Sequence, residues 1–102
     1  MSLQQLIDED RRLCILRCLN EAEGCELNEN LLARMVEHFR LGIIGQDILR
    51  GHLTWLSAQS LVTVDELDRQ GGLKLWVAKL TALGQGVARG RKWPGVAELP
   101  LG

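Results

Sequence analysis

The spacing of apolar residues changes once along this chain of 102 residues, and that change limits the folds open to it. Up to about residue 60, apolar side chains recur every three or four residues, which is the spacing of amphipathic helices. A β-branched run and a second stretch of alternating apolar and polar residues follow, separated by Gly71 and Gly72. We therefore expect helices first and a β-hairpin after them.

Three segments carry the helical spacing. They are residues 3–22, a segment that begins after Asn28, and residues 46–60. Asn28 is a favoured N-cap residue, so the second helix has a marked start. Gly24 and Gly42 follow the first two segments and supply stop signals. Only a few residues are expected between the second and third helices, as in a helix-turn-helix.

The second half of the chain predicts two strands and a last helix. Residues 61–64 and 73–77 have strand character, and the Gly-Gly pair between them is typical of a hairpin turn. Thr81 is placed to cap a short helix over residues 82–89. Pro94, Gly95 and Pro100 indicate an irregular tail over residues 94–102.

We predict a mainly α fold with a β-hairpin, an α+β class: a winged helix-turn-helix. Three helices form its core, the hairpin of residues 61–80 is the wing, and a short C-terminal helix closes it. Residues 1–93 would form this one domain and residues 94–102 the tail, because a chain of this length has room for a single core. Hydrophobic residues at 46% and charged residues at 25% exclude a disordered chain.

No membrane or secretory segment is expected. The uncharged stretch at residues 41–46 is far shorter than the roughly 20 residues that a membrane span needs. The N-terminus lacks the basic region of a signal peptide and reaches Asp8 almost at once. We therefore expect a cytoplasmic protein without membrane contact.

Cysteine and histidine are the residues from which metal or catalytic chemistry would come. Cys14 and Cys18 share one helix face, with Cys25 beyond the helix end, so these three are the metal-ligand candidates. Their apolar neighbours favour the alternative of small buried residues. His38 and His52 stand alone, are expected at the surface or the core edge, and complete no catalytic triad. We expect no cofactor, no metal and no enzyme activity.

The third helix is the candidate for contact with duplex DNA. If Leu49, Leu53 and Leu56 face the core, the outward positions are Gln46, Asp47, Arg50 and Thr54. An outward Arg50 would leave the fold nearly unchanged when removed. The hairpin adds candidates for phosphate contacts, namely Arg69, Gln70 and Lys74.

Two sets of segments resemble known families. Residues 53–64 (LTWLSAQSLVTV) and 77–90 (VAKLTALGQGVARG) resemble the third helix, first wing strand and closing helix of bacterial winged-helix regulators. Residues 9–17, 26–32 and 94–96 resemble small proteins of Mu-like prophages that are often called ArsR-like transcriptional regulators. The resemblance implies a DNA-binding transcriptional regulator of phage or prophage type. It does not extend to the Cys-x-Cys metal site of ArsR sensors, because residues 46–60 hold no cysteine.

Two classes of partner remain open. A DNA reader of this type is expected to be a homodimer, since such folds read paired half-sites, with the first and last helices as its dimer surface. The alternative is a winged-helix protein-interaction module, a phage adaptor or assembly factor that binds a phage or host protein and no DNA. The net charge of −1 and the balanced charges of the hairpin favour that alternative.

Overall fold

The computed structural model describes residues 2–99, which form an α+β fold of four α-helices and one three-stranded antiparallel sheet. Met1 and residues 100–102 of the expected tail lie outside the described residues. The helices are α1 (Leu3–Glu21), α2 (Glu29–His38), α3 (Gln46–Ala58) and α4 (Ala82–Ala88), and the strands are β1 (Glu26–Asn28), β2 (Val62–Asp68) and β3 (Lys74–Leu80).

Two helices begin where the sequence places their caps. The Asn28 side chain accepts a hydrogen bond from the backbone N–H of Leu31 at 2.9 Å, which starts α2. The Thr81 hydroxyl accepts from the backbone N–H of Gly84 at 3.0 Å, which starts α4. Each cap satisfies an N–H group that has no partner within the helix, so both predictions are confirmed.

Several element bounds differ from the predicted ones. The helix predicted over residues 46–60 ends at Ala58, and both strands of the hairpin run further than the alternating pattern indicates. The connection between α2 and α3 covers residues 39–45, so it is longer than the few residues expected. β1 was not predicted from the sequence, because three residues are too few to display alternation.

The central strand of the sheet is β3, in the order β1-β3-β2. The hairpin pairs Val62 with Leu80 at its base and Asp68 with Lys74 near its tip. Gly71 lies in the turn with a φ of 79°, a left-handed conformation that glycine adopts without steric cost. The predicted hairpin is confirmed, and its base is the part that joins the core.

The core lies between the three longer helices and the base of the sheet. The leucine register predicted for α3 is confirmed, because Leu49, Leu53 and Leu56 are all buried. Large side chains with under 2% exposure come from every side of this core: Ile15, Leu16, Leu19, Leu32, Val36, Leu49, Leu53, Leu56, Leu61, Val62 and Val87.

α1 is the longest helix, with 19 residues, and carries apolar side chains on more than one side. Ile15 and Leu19 are fully buried, whereas Leu3 and Leu6 are exposed. The C-terminal half of α1 therefore packs on the core, while its first turns stand outside it. Within residues 2–99, no helix is both long enough and apolar enough to cross a bilayer.

The described part of the tail has no helix or strand but packs against the body. Val96 is buried, and the backbone N–H of Ala97 donates to the Glu9 carbonyl of α1 at 3.2 Å. The Trp93 indole N–H donates to the Gln59 side chain at 3.2 Å. Part of the tail therefore packs with the core, although the domain was predicted to end at residue 93.

His52 lies inside the fold with 5% exposure, so the expectation of a surface or core-edge position is wrong. It projects from α3 towards α1, where its Nε2 atom is 3.6 Å from a carboxylate oxygen of Asp8. Burial lowers the pKa of His52, the positive charges of Arg12 and Arg11 lower it further, and Asp8 opposes the change. The folded state therefore favours the neutral imidazole of His52.

The core assignment predicts a contrast between two neighbours on α3. Leu53→Ala should lower the free energy of unfolding by about 2–5 kcal/mol, because it leaves a cavity in a fully packed region. Thr54→Ala, at the exposed position beside it, should stay within about 0.5 kcal/mol of the parent chain. Urea unfolding measures both values, and equal losses would contradict this register of α3.

The buried histidine predicts a loss of stability in mild acid. Because the folded state binds a proton less readily at His52 than the unfolded chain does, the free energy of unfolding should fall as the pH drops below about 6.5. His52→Gln should flatten this dependence. His38→Gln, at an exposed histidine, is the matched control and should retain it. Urea midpoints from pH 8 to 5 test the difference.

Candidate nucleic-acid interface

The outer face of α3 lies beside the β2–β3 hairpin, and the two elements enclose a groove. Thr54 and Ser57 of α3 line one wall, and Val64, Glu66 and Trp76 of the hairpin line the other, around a volume of about 430 Å³. The opposite face of α3 supplies buried leucines to the core. One side of the molecule therefore presents polar helix residues next to a projecting hairpin.

Three of the four helix positions predicted for DNA contact are on the surface. Gln46, Asp47 and Thr54 are exposed, and Thr54 lines the groove. Amide and hydroxyl groups can hydrogen-bond base edges, and a carboxylate can accept from the cytosine amino group. Asp47 also repels phosphate, so the chemistry of this helix face is polar without being basic.

Arg50, the fourth position, does not stand free on that face as expected. Its Nε atom is 2.8 Å from one carboxylate oxygen of Glu29, and its Nη2 atom is 2.9 Å from the other. The side chain of Glu29 is 2% exposed and that of Arg50 is 26% exposed. The two parallel hydrogen bonds match the planar guanidinium to the carboxylate, an arrangement stronger than a single ion pair.

Trp76 of β3 completes this cluster. Its ring centroid lies 4.7 Å from the Arg50 guanidinium carbon, and its backbone N–H donates to the carboxylate of Glu29. Arg50 also donates from Nη2 to the Lys74 carbonyl at 3.1 Å. The Glu29–Arg50–Trp76 cluster thus ties the start of α2, the middle of α3 and the outer half of β3 to one another.

The charge state of Glu29 follows from these contacts. Burial by itself would raise the pKa of Glu29, but hydrogen bonds from the Arg50 guanidinium and from the Trp76 backbone N–H hold that pKa below its usual value. The carboxylate is therefore ionised at neutral pH. Sequence analysis did not single out Glu29, because no spacing pattern connects a residue in the first turn of α2 with one on α3.

The hairpin brings together the three residues predicted to contact phosphates. Arg69, Gln70 and Lys74 are all exposed near its tip. Lys74 forms a close ion pair with Asp68, its partner across the two strands. Since β2 carries two further carboxylates, the positive and negative charges of the hairpin largely offset each other.

The cysteines lie away from this interface. Cys14 and Cys18 are buried, with their sulfur atoms 4.0 Å apart, and Cys25 is half-buried. The hydrogen bond with Cys18, together with burial, raises the pKa of the Cys14 thiol. Among residues 2–99, no group of three or more cysteine, histidine or acidic side chains is placed to hold a metal ion.

Comparison with known proteins identifies the relatives of this chain. No model of a protein family matches it. Uncharacterized protein gp26 of Escherichia phage Mu is 38% identical over 89 residues, which cover 87% of this chain and 85% of the phage protein. The chain belongs to the family of phage Mu gp26.

A second relative of this gp26-family chain is an uncharacterized protein of Haemophilus influenzae. It is 39% identical over 67 residues, which cover 66% of this chain and 64% of that protein. The resemblance to proteins of Mu-like phages is thereby confirmed through gp26. The names of these relatives contain neither ArsR nor helix-turn-helix.

The fold of this gp26-family member is similar to that of a solved structure. The circadian clock associated protein Pex from Anabaena aligns with a TM-score of 0.53 and covers 87% of both chains. Sequence identity between the two is 13%, so the likeness concerns the fold alone.

The Glu29–Arg50 pair predicts that removing Arg50 from this gp26-family chain destabilises the fold. The sequence alone had predicted almost no change in stability. Arg50→Ala should lower the melting temperature by about 5 °C or more, because it leaves the buried Glu29 carboxylate without its partner. Arg50→Lys should recover part of the loss, since lysine keeps the charge but not the paired hydrogen bonds. Arg34→Ala, on the exposed side of α2, is the control, and an equal loss there would contradict the assignment.

Proposed function

We propose that this gp26-family protein is a winged helix-turn-helix protein that binds duplex DNA and regulates transcription in a phage or prophage. The observation that carries the proposal is the placement of the exposed face of α3 directly beside the β2–β3 hairpin. The order α1, β1, α2, α3, β2, β3 is typical of winged helices. In such a protein α3 is the recognition helix, which enters the major groove, and the hairpin is the wing.

The proposed base contacts come from α3. Gln46 and Thr54 are eight positions apart, which corresponds to roughly 12 Å along a helix. That length spans about three to four base-pair steps. Gln46 would hydrogen-bond adenine, Thr54 would bond either base of a pair, and Asp47 would accept from cytosine.

The wing supplies the backbone contacts. Arg69 and Gln70 at the hairpin tip are exposed and would bind phosphate oxygens beside the groove that α3 reads. Lys74 would join them if phosphate replaced Asp68 as its partner. Arg50 is a positioning residue in this proposal, because its contacts with Glu29 and Trp76 fix the angle between recognition helix and wing.

A second candidate function is a protein-interaction module without DNA binding, an adaptor or assembly factor that binds a phage or host protein. The observation that favours it is a set of exposed apolar side chains around the same interface. Ile43 before α3 is 83% exposed, Leu73 of the hairpin is 66% exposed and Leu67 is 49% exposed. Protein-binding surfaces, rather than phosphate-binding ones, use such residues.

Fluorescence anisotropy with labelled duplexes separates these candidates. The duplexes come from the DNA that flanks the gene and from random sequence, and each is titrated at several salt concentrations. A DNA reader should prefer one flanking duplex, and its affinity should fall steeply with salt. Absence of binding to any duplex at low salt would overturn the proposal and favour the protein-interaction module.

Single variants then test the two kinds of contact. Gln46→Ala should reduce discrimination between duplexes by about 1–3 kcal/mol, whereas Arg69→Ala should weaken binding to all duplexes alike and lower the salt slope by about 1. Gln5→Ala, at an exposed glutamine of α1, is the matched control and should change neither quantity.

A further inference from the structure

One side of α1 carries apolar and charged residues in regular order. Leu3 is 73% exposed and Leu6 is 44% exposed, and the same helix face continues through Asp10, Leu13 and Arg17 at spacings of three and four. Asp10 and Arg17 are exposed, whereas Leu13 between them is 8% exposed and packs in the core; all three line one groove. We call this the outer face of α1.

A groove runs along this outer face. Met35 and Phe39 from the end of α2 form one of its walls, Cys18 of α1 lies in its floor, and Glu98 of the tail lines the other side. Its volume is about 380 Å³, and Phe39 is 54% exposed at its edge. The groove thus offers an apolar floor beside a helix that itself carries exposed leucines.

A surface helix normally turns its apolar side chains towards a packing partner and its polar side chains towards water. The inner side of α1 meets the core, but Leu3 and Leu6 on its outer face remain in contact with water. Exposed apolar side chains beside an apolar groove, here Leu3, Leu6 and Phe39, are typical of interaction sites. The outer face of α1 is therefore suited to pack against another helix.

The charges on the outer face of α1 indicate which helix could pack against it. Asp10 and Arg17 are seven positions apart, about 10 Å along α1, and of opposite sign. When two copies of α1 lie antiparallel about a two-fold axis near Leu13, Asp10 of each copy meets Arg17 of the other. A parallel pair in register would instead place like charges together, which is unfavourable.

We propose that the outer face of α1 is the interface of a symmetric homodimer with the two α1 helices antiparallel. In this arrangement Leu6 of each copy lies level with Glu21 of the other, next to the groove formed by Cys18, Met35 and Phe39. Each copy gives and receives the same contact, as a two-fold interface requires. The last helix, α4, was also expected in the dimer surface; its Val87 and Ala88 are buried, and its contribution to a dimer stays a prediction.

The first test measures mass without DNA, so its outcome is independent of the function proposed above. Light scattering should give twice the chain mass of 11.4 kDa for the parent protein. Leu6→Glu should return the mass to 11.4 kDa, while Leu31→Glu, at a leucine of α2 that is 37% exposed, should leave the dimer intact. A parent protein that is monomeric at high concentration, or a Leu6→Glu dimer, overturns the proposal.

Charge reversal tests the antiparallel arrangement itself. Asp10→Arg and Arg17→Asp should each weaken the dimer by about tenfold or more, because either change creates two like-charge contacts across the axis. The double variant D10R/R17D should restore the dimer, since both contacts become attractive again. Circular dichroism confirms that each variant is folded, and a double variant that stays as weak as the single ones overturns the arrangement.

Discussion

The pairing of Glu29 with Arg50 determines how the second half of the structure is held against the first. A buried ionised carboxylate, with its side chain 2% exposed, is tolerated only where its charge is matched and its oxygens accept hydrogen bonds. Both conditions are met by a residue of α3 and by the backbone of β3. The need to pair the buried Glu29 carboxylate of α2 therefore fixes the orientation of α3 relative to the hairpin. That orientation in turn determines the shape of the groove between α3 and the hairpin.

Two surfaces with different physical character result from this arrangement. The side formed by α3 and the hairpin carries acidic and basic groups in near balance, beside exposed apolar residues such as Leu67 and Leu73. Its polar groups can hydrogen-bond base edges, but its charge supplies little general attraction to phosphate. The outer face of α1 carries exposed leucines together with one acidic and one basic residue, Asp10 and Arg17.

Local signals in the sequence predicted the parts of the fold that depend on neighbouring residues. The Asn28 and Thr81 caps, the leucine register of α3 and the glycine turn of the hairpin all follow from short-range spacing. The position of a residue around a helix, however, predicts only the direction of its side chain. It does not predict which groups of another helix or strand will contact that side chain. Arg50 was expected to be free for that reason, and His52 was expected at an edge although α1 covers it.

β1 ends at Asn28, opposite Val77, although β3 continues outward to Lys74. Beyond that point the Trp76 N–H donates a hydrogen bond to the Glu29 side chain, and the Lys74 carbonyl accepts one from the Arg50 side chain. These side chains take the place that the backbone of a further strand would occupy. An open strand edge invites pairing with other chains and aggregation. A carboxylate and a guanidinium here close that edge, so the loss of either one would expose a template for intermolecular β-pairing.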